Sequence, residues 1–447
     1  MSNHETLLTL LGFGMVTTFM TLIMTRRLSP LVALISIPVL FAVLGGFGGT
    51  QLGEMMLAGL RTLAPTGVML MFAILYFGLM IDVGLFDPLI AAILRIVGND
   101  PLKVVVGTAL LATLVSLDGD GSTTYMITVA AMLPLYRRLR LDPLGLTCVT
   151  ILANGVLNLT PWGGPLARVA SALHVEPADV FVPLLPAMVA GIAGVLGLAW
   201  LLGRREKQRL GHLSLSAAAT DDTSIAESAL LPPQSSTDGV RRPKLLAFNA
   251  LLTLALLVAL VAGVLPLPVL FMVAFAIALL VNFPRIADQR ERIAAHARNV
   301  MAVVSLIFAA GIFTGVLNGT GMLDAMAKSM LDLIPPTLGP YLAPLTAVAS
   351  LPLTFFVSND AFYFGVIPIV AETAKQFGIE PVEIARASLI GQPVHFLSPL
   401  VPSTYLLVGL AGVEFGDHQR FTLKWAVLVC LLMLIAALVC AVFPLRT

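Results

Sequence analysis

Charge is what this chain lacks most. Only 11% of its 447 residues are Asp, Glu, Lys or Arg, against roughly a quarter in a soluble domain. The formal net charge of +1 offers no basic surface for nucleic acid. Cysteine is scarce as well: Cys148, Cys430 and Cys440 all sit in apolar runs without metal-ligand spacing, and they read as small packed hydrophobes. Alternation of apolar and polar residues is absent, which argues against an outer-membrane barrel. The first apolar run has no preceding basic stretch and no convincing small-residue cleavage site, so it reads as a retained span rather than a signal peptide.

What the chain does have is apolar length. Hydrophobic residues make up 58% of it, in windows of about 20 residues that suit transmembrane helices. The fold class is an all-α polytopic membrane protein with about ten spans. They are placed at 5–24, 30–48, 66–82, 143–173 (broken) and 179–203, then at 244–264, 266–283, 300–318, 381–412 (broken) and 422–444. Two further runs, 102–139 and 338–376, carry a polar tip at their middle and read as re-entrant hairpins. Residues 204–243 are polar, with basic residues at both ends, and read as a flexible cytoplasmic linker, a tether with a regulatory role left open.

The two halves, 1–203 and 244–447, repeat one another. Gly78–Gly84 matches Gly315–Gly321, Asp142-Pro143 matches Glu380-Pro381, and Thr160-Pro161 matches Ser398-Pro399. An amphipathic segment precedes each hairpin, at 84–98 and 321–334. Each half has an odd number of full crossings, so the second copy is expected upside down relative to the first, as in transporters built from inverted repeats. The basic residues give the same orientation. With the N-terminus outside, the cytoplasmic loops collect most of the 26 Lys and Arg residues, from Arg27, Arg137 and Arg138 to Arg204, Arg290 and Lys424. The 102–139 hairpin then faces inward and the 338–376 hairpin outward.

Polar residues cluster at four places inside these runs. The first tip holds Asp118, Asp120, Ser122 and Thr123; the second holds Ser358, Asn359 and Asp360. The first broken span holds Asn154, Asn158, Thr160 and Arg168; the second holds Gln392, His395, Ser398, Ser403 and Thr404. Helix ends inside a membrane expose unpaired N–H groups that favour anions and carbonyls that favour cations. An isolated Asp at bilayer depth costs about 3 kcal/mol, and three converging ones need a cation or protons among them. Asp118, Asp120 and Asp360 are therefore the candidate metal or proton ligands, with helix capping as their plain alternative. Arg168 can fork onto a substrate carboxylate; its plain alternatives are to snorkel outward or to neutralise one of the aspartates. The Ser, Thr and Asn side chains, Asn158 and Ser403 among them, are candidate substrate contacts. Asn154, Gln392 and His395 rank behind them; His395 either relays a proton or packs as a hydrogen-bonded histidine. No nucleophile-elbow or intramembrane-protease pattern surrounds Ser358, Ser398 or His395, so an enzyme is not expected.

The strings GDGSTTYMITVAAMLPLYRRL, GVLNLTPWGGPLARVASAL, FFVSNDAFYFGVIPIVAE and GQPVHFLSPLVPSTYLLVGLAGVEFGDHQ resemble the bacterial citrate–metal–proton symporter family, over essentially the whole chain outside 204–243. The resemblance implies inner-membrane uptake of citrate complexed with a divalent metal, coupled to H⁺, with the metal travelling as cargo and no permanently bound cofactor. It also implies a homodimer whose hairpin-bearing part moves across the bilayer. Related dicarboxylate carriers carry Ser-Asn-Thr at their tips, for carboxylates and sodium. Here the second tip reads Ser358-Asn359-Asp360 and the first Asp118-Gly-Asp120-Gly-Ser122, a departure that suits a metal or proton better than sodium. A free di- or tricarboxylate carrier and a cation/proton antiporter are the alternatives.

Overall fold

The computed structural model describes residues 3–25, 27–119, 121–210, 240–333, 335 and 337–447. Among these residues helices are the only regular secondary structure. The first half runs α1 (Asn3–Met24), α2 (Pro30–Leu44), α3 (Gly49–Asp82), α4 (Asp87–Val97), α5 (Pro101–Val115), α6 (Gly121–Arg138), α7 (Pro143–Leu157), α8 (Gly164–Leu173) and α9 (Pro177–Leu210). The second runs α10 (Leu246–Val261), α11 (Leu267–Asn282), α12 (Ile286–Gly319), α13 (Met322–Leu333), α14 (Leu342–Phe356), a π-helical stretch (Ala361–Val366), α15 (Ile367–Lys375), α16 (Pro381–Ser388), α17 (Gln392–His395), α18 (Pro402–Ala411) and α19 (Phe415–Val439).

Local chemistry sets many of the boundaries. Asp100 and Asp142 cap α5 and α7 by accepting from the amides of Leu102 (3.0 Å) and Leu144 (2.9 Å), each followed by proline at the first helical position, where its missing N–H costs nothing. Glu380 and Glu383 form the equivalent capping box ahead of α16, again with proline next. Each of the matched dipeptides Asp142-Pro143 and Glu380-Pro381 thus starts a helix.

Eight helical segments among the described residues are long and apolar enough to cross a bilayer. Six fall on expected full spans. The other two, Pro101–Asp118 and Gly339–Phe356, are the first limbs of the expected hairpins, extended by short 3₁₀ turns. The expected spans at 30–48 and 266–283 are shorter apolar helices, and the two broken spans are interrupted, as α7/α8 and α16/α17/α18.

Three helices are longer than the apolar runs implied. The run at 66–82 is the second half of α3, a helix of 34 residues. Glu54 and Arg61 interrupt the apolar pattern, but both are exposed, and the helix is held there by close packing. A Cβ on Gly59 would lie 1.9 Å from the carbonyl oxygen of Gly311, and one on Gly315 would lie 2.4 Å from that of Met55. Only glycine lets α3 and α12 approach so closely. Helix α12 likewise begins at Ile286, where its charged first turns are mostly exposed. Helix α9 continues to Leu210, with Lys207 paired to Asp100 at 3.0 Å and Arg209 donating to the Arg140 carbonyl at 2.7 Å. Residues 204–210 of the expected linker are therefore helical, and 211–239 lie outside the described residues.

The helices pack as two groups. In one, α3 lies against α11 and α12, with α2 on α12 and α10 on α11. In the other, α5, α6, α7 and α9 pack with α14 and α16–α19. Helix α8 contacts both, which puts Arg168 beside the boundary between them.

Candidate functional site

The four polar places join into one network. The first tip is the 3₁₀ turn Ser116–Asp118 followed by Gly119 in the left-handed region (φ 79°), which disfavours any side chain there. A Cβ at Gly119 would also stand 2.8 Å from the Trp162 ring. That ring belongs to the first break, and its indole N–H donates to the Leu117 carbonyl at 2.9 Å. Phe77 and Phe271 pack the ring from the other helix group, at centroid distances of 4.9 and 5.3 Å. The break itself is tight: a Cβ on Gly163 would lie 1.9 Å from the Asn158 carbonyl oxygen. Asp118 is buried in the tip, and Ser122 and Thr123 are half-buried at the start of α6. Asp120 lies outside the described residues.

At the second tip Ser358 is the cap, its Oγ accepting from the Ala361 amide at 3.2 Å. Asp360 makes no side-chain capping bond. Its Oδ1 instead accepts from Arg168 Nε at 2.6 Å, while Arg168 Nη1 donates to the Gly164 carbonyl at 3.0 Å. The side chains are 21% and 12% exposed, dry enough for a charge-assisted bond to be strong. Arg168 thus points inward and is paired with Asp360 in this structure.

The second break holds the second tip. Gln392 Nε2 donates to Tyr363 Oη at 2.7 Å and to Asn359 Oδ1 at 3.2 Å, and Asn359 Nδ2 returns a bond to Gln392 Oε1 at 3.4 Å. His395 Nδ1 donates to the Thr354 carbonyl at 2.6 Å, which places a proton on Nδ1 and gives His395 a structural partner. Ser398 Oγ accepts from the Leu400 amide at 3.2 Å, and Thr404 Oγ1 donates to the Phe396 carbonyl at 2.5 Å. These two shape the broken backbone. Ser403 is half-buried in the first turn of α18.

Sequence reasoning passed over Tyr125 and Tyr363, and used Trp162 only as part of a motif. Tyr125 Oη accepts from Asn154 Nδ2 at 3.1 Å, as Tyr363 does from Gln392, and each pair is 29 residues apart in the chain. The signal was the common spacing of the two tyrosines from their tips. Two buried oxygens of the first break, Asn154 Oδ1 and Thr160 Oγ1, have no hydrogen-bond partner, although both residues are at least 97% buried. Chemically, the network offers a guanidinium and amide donors to carboxylates, and carboxylate, amide and hydroxyl oxygens to a hard cation. Among the described residues no cluster of three His, Cys, Asp or Glu forms a ready-made metal site.

Comparison with known proteins agrees with this architecture. The CitMHS citrate transporter family model matches residues 19–391. The chain is 58% identical to a Bacillus subtilis (strain 168) citrate transporter and 52% identical to that strain's Mg(2+)/citrate complex secondary transporter, in both cases over 97% of this chain and 98% of the relative. Among solved structures, Neisseria gonorrhoeae MtrF aligns with a TM-score of 0.59 at 14% identity, covering 87% of this chain and 83% of that one. The Alcanivorax borkumensis YdaH transporter aligns at 0.54 and 15%, covering 88% and 89%. These two share the fold. Apolar helices, a polar network at broken segments and the full-length match lead to one conclusion: the chain is a multi-pass membrane transporter, not an enzyme, and it belongs to the CitMHS citrate transporter family.

Proposed function

We propose that the protein is a secondary active transporter that takes up citrate complexed with a divalent metal of the Mg²⁺ or Ca²⁺ class, together with protons. The observation that carries this reading is the 2.6 Å bond between Arg168 and Asp360, which joins the first break to the second tip. A guanidinium is a natural carboxylate receptor, and here a carboxylate already occupies it. Protonation of Asp360, or a cation shared with it, weakens that hold and frees Arg168 for the substrate. A citrate trianion carrying a divalent metal keeps net negative charge, so the complex still needs a cationic receptor.

In this scheme Arg168, Ser122, Thr123, Asn359 and Ser398 bind the carboxylates, and Asp118 and Asp360 serve the metal and the proton. The metal as cargo is supported by the 52% identity to the relative named for the Mg(2+)/citrate complex. The matched caps, tips and tyrosine–amide pairs support a reading as two inverted repeats, with re-entrant hairpins reaching one site from opposite faces and the N-terminus outside. The two helix groups suit a scaffold and a moving part. An inner-membrane homodimer follows from the family resemblance.

The test is uptake of labelled citrate into proteoliposomes, with a panel of divalent metals and imposed pH gradients. Uptake should require metal and rise when the outside is acidified. Metal-independent uptake would point to a free carboxylate carrier, and metal flux without citrate to an antiporter; either result overturns the proposal.

A further inference from the structure

Helix α19 carries a fully buried histidine that the transport scheme above does not use. His418 lies in its first turn, its amide donating to the Glu414 carbonyl at 3.0 Å, and none of its surface is exposed. Its Nδ1 meets Thr147 Oγ1 of α7 at 2.9 Å. The Thr147 hydroxyl proton is committed to the Leu144 carbonyl at 3.2 Å, so Nδ1 is the donor in that pair. Nε2 is then a bare acceptor, and it has no hydrogen-bond partner among the described residues.

Three more unpartnered oxygens lie on the neighbouring helices: Thr150 Oγ1, Thr128 Oγ1 and Asn154 Oδ1, on residues at least 99% buried. Thr147, Thr150 and Asn154 follow one another at three and then four residues, so they share one face of α7 over about 10 Å of helix. Helices α6 and α7 are joined by a short loop and meet again where Gly121 and Tyr125 face Asn154, so they run antiparallel. Thr128, seven residues on from Gly121 and on the same face of α6, therefore comes level with residues 147–151. Helix α19 packs on α7 at the His418–Thr147 contact. The polar atoms thus form one row, from His418 at the head of α7 to Asn154 at its end.

A buried hydroxyl or amide oxygen left unsatisfied costs about 1–3 kcal/mol. Helical threonines and serines elsewhere in this fold avoid that cost by bonding back to the carbonyl four residues earlier, as Thr108 and Ser171 do. Thr128 and Thr150 do not. Polar groups of this kind, gathered along one interior contact, are satisfied by internal water, and a file of water that ends on a bare imidazole nitrogen carries protons.

The geometry points to a hydrated proton path inside the α6–α7–α19 contact, with Thr128 and Thr150 as its hydroxyl lining and His418 as the relay at the end away from the first break. A proton passed along the water adds to Nε2 and makes an imidazolium; water at the head of α19 takes it off again, and no other bond changes. The neighbouring titratable groups do not replace His418. Glu414, Asp417, Arg420 and Lys424 on α19 are exposed, Asp142 caps α7, and Arg205 of α9 lies over the Trp425 ring. His395 of α17 is tied to the Thr354 carbonyl, and the buried Cys148 and Tyr136 are a thiol and a phenol, protonated at neutral pH. The path deepens the transport reading above and rests on it for the proton's origin and for the assignment of this end to the cytoplasm.

The water can be tested without transport. Radiolytic hydroxyl-radical footprinting of the purified full-length protein oxidises side chains that touch internal water. His418 should be labelled well above Phe313, an equally buried ring; equal labelling overturns the inference. The relay is tested in proteoliposomes with a pH-sensitive dye trapped inside. His418→Asn keeps a donor for Thr147 and removes Nε2, and Thr150→Val removes a hydroxyl at nearly constant shape, a second probe should His418→Asn fold poorly. Each should slow net Mg²⁺–citrate uptake, and the internal acidification that accompanies it, by at least about tenfold. Exchange of labelled for unlabelled Mg²⁺–citrate, which runs with the proton still bound, should stay near the parental rate. Parental acidification in both variants sinks the path alone. Equal loss of net uptake and exchange overturns it as well, because that marks a merely structural role. A parent that takes up Mg²⁺–citrate without internal acidification overturns the proton coupling, and the path with it.

Discussion

Arg168 and Asp360 lie 192 residues apart in the chain and meet through a 2.6 Å hydrogen bond from Nε to Oδ1. The bond crosses from the first half to the second and links α8 to the polar segment just ahead of the π-helical stretch. Because both side chains are mostly buried, each makes the other tolerable there. Removing one partner leaves an unpaired charge, typically at a cost of about 3–5 kcal/mol, whereas removing both can cost much less. Arg168→Gln should therefore destabilise the detergent-solubilised protein more than Arg168→Gln/Asp360→Asn does. All variants, Asp360→Asn alone included, should lose citrate uptake. Thermal unfolding of the three variants reads the coupling, and additive losses would show that the pair contributes no mutual stabilisation.

Trp162 fastens the first tip by one hydrogen bond and by ring packing. Trp162→Phe keeps much of the packing and loses the bond to Leu117. Roughly 1 kcal/mol of net stability is at stake, so the protein should remain folded. Citrate uptake should fall several-fold because the tip loses its fixed position. Size-exclusion profiles and initial uptake rates check this, and a parent-like rate would remove Trp162 from the site's framework.

The α3–α12 crossing depends on Gly59. Gly59→Val would place side-chain atoms where the Gly311 carbonyl now sits. Overpacking of this kind costs about 1–3 kcal/mol, and backbone against backbone leaves little room to relax. A clear drop in melting temperature should result. Gly53→Ala on the same helix, where a Cβ meets nothing within 4 Å, should leave it nearly unchanged.

Asp100 gives a pH-dependent contribution outside the membrane-spanning core. Partial burial pushes its carboxyl pKa up, but the hydrogen bond from Lys207, the Leu102 amide and the charges of Lys207 and Lys103 outweigh that, and the net shift is downward. A carboxyl whose pKa is lowered by folding stabilises the folded state above its unfolded value, near 4, and that stabilisation is lost as pH falls through the folded value. Asp100→Ala should cost about 1 kcal/mol at neutral pH through the lost cap. The gap from wild type should close on acidification below pH ~4. A gap that is constant from neutral to acidic pH would contradict the ionic part of this account.

The polar tips and breaks were legible because carboxylates and glycines inside apolar runs stand out against the cost of burying them. The caps at Asp100, Asp142 and Glu380 came from the structure: in the sequence Asp142-Pro143 and Glu380-Pro381 stood only as matched dipeptides, although capping acts over three or four residues. The full lengths of α3 and α12 were not legible either: their first turns carry charge, and what keeps them helical and packed is a glycine contact between residues far apart in sequence. The roles within the site were only half legible. Ser358, not an aspartate, caps the second tip, and His395 is tied to the Thr354 carbonyl.

By itself, then, the sequence determined the helical membrane class, the four polar places and the family, because each follows from composition or from contiguous patterns. It could not determine which carboxylate Arg168 takes, since any of three aspartates is chemically equivalent along the chain. Nor could it show that the Gln392 oxygen is satisfied while that of Asn154 is not. Those outcomes depend on distances between segments brought together only by folding. A hydrogen bond exists within a few tenths of an ångström or not at all, and tertiary packing alone decides which.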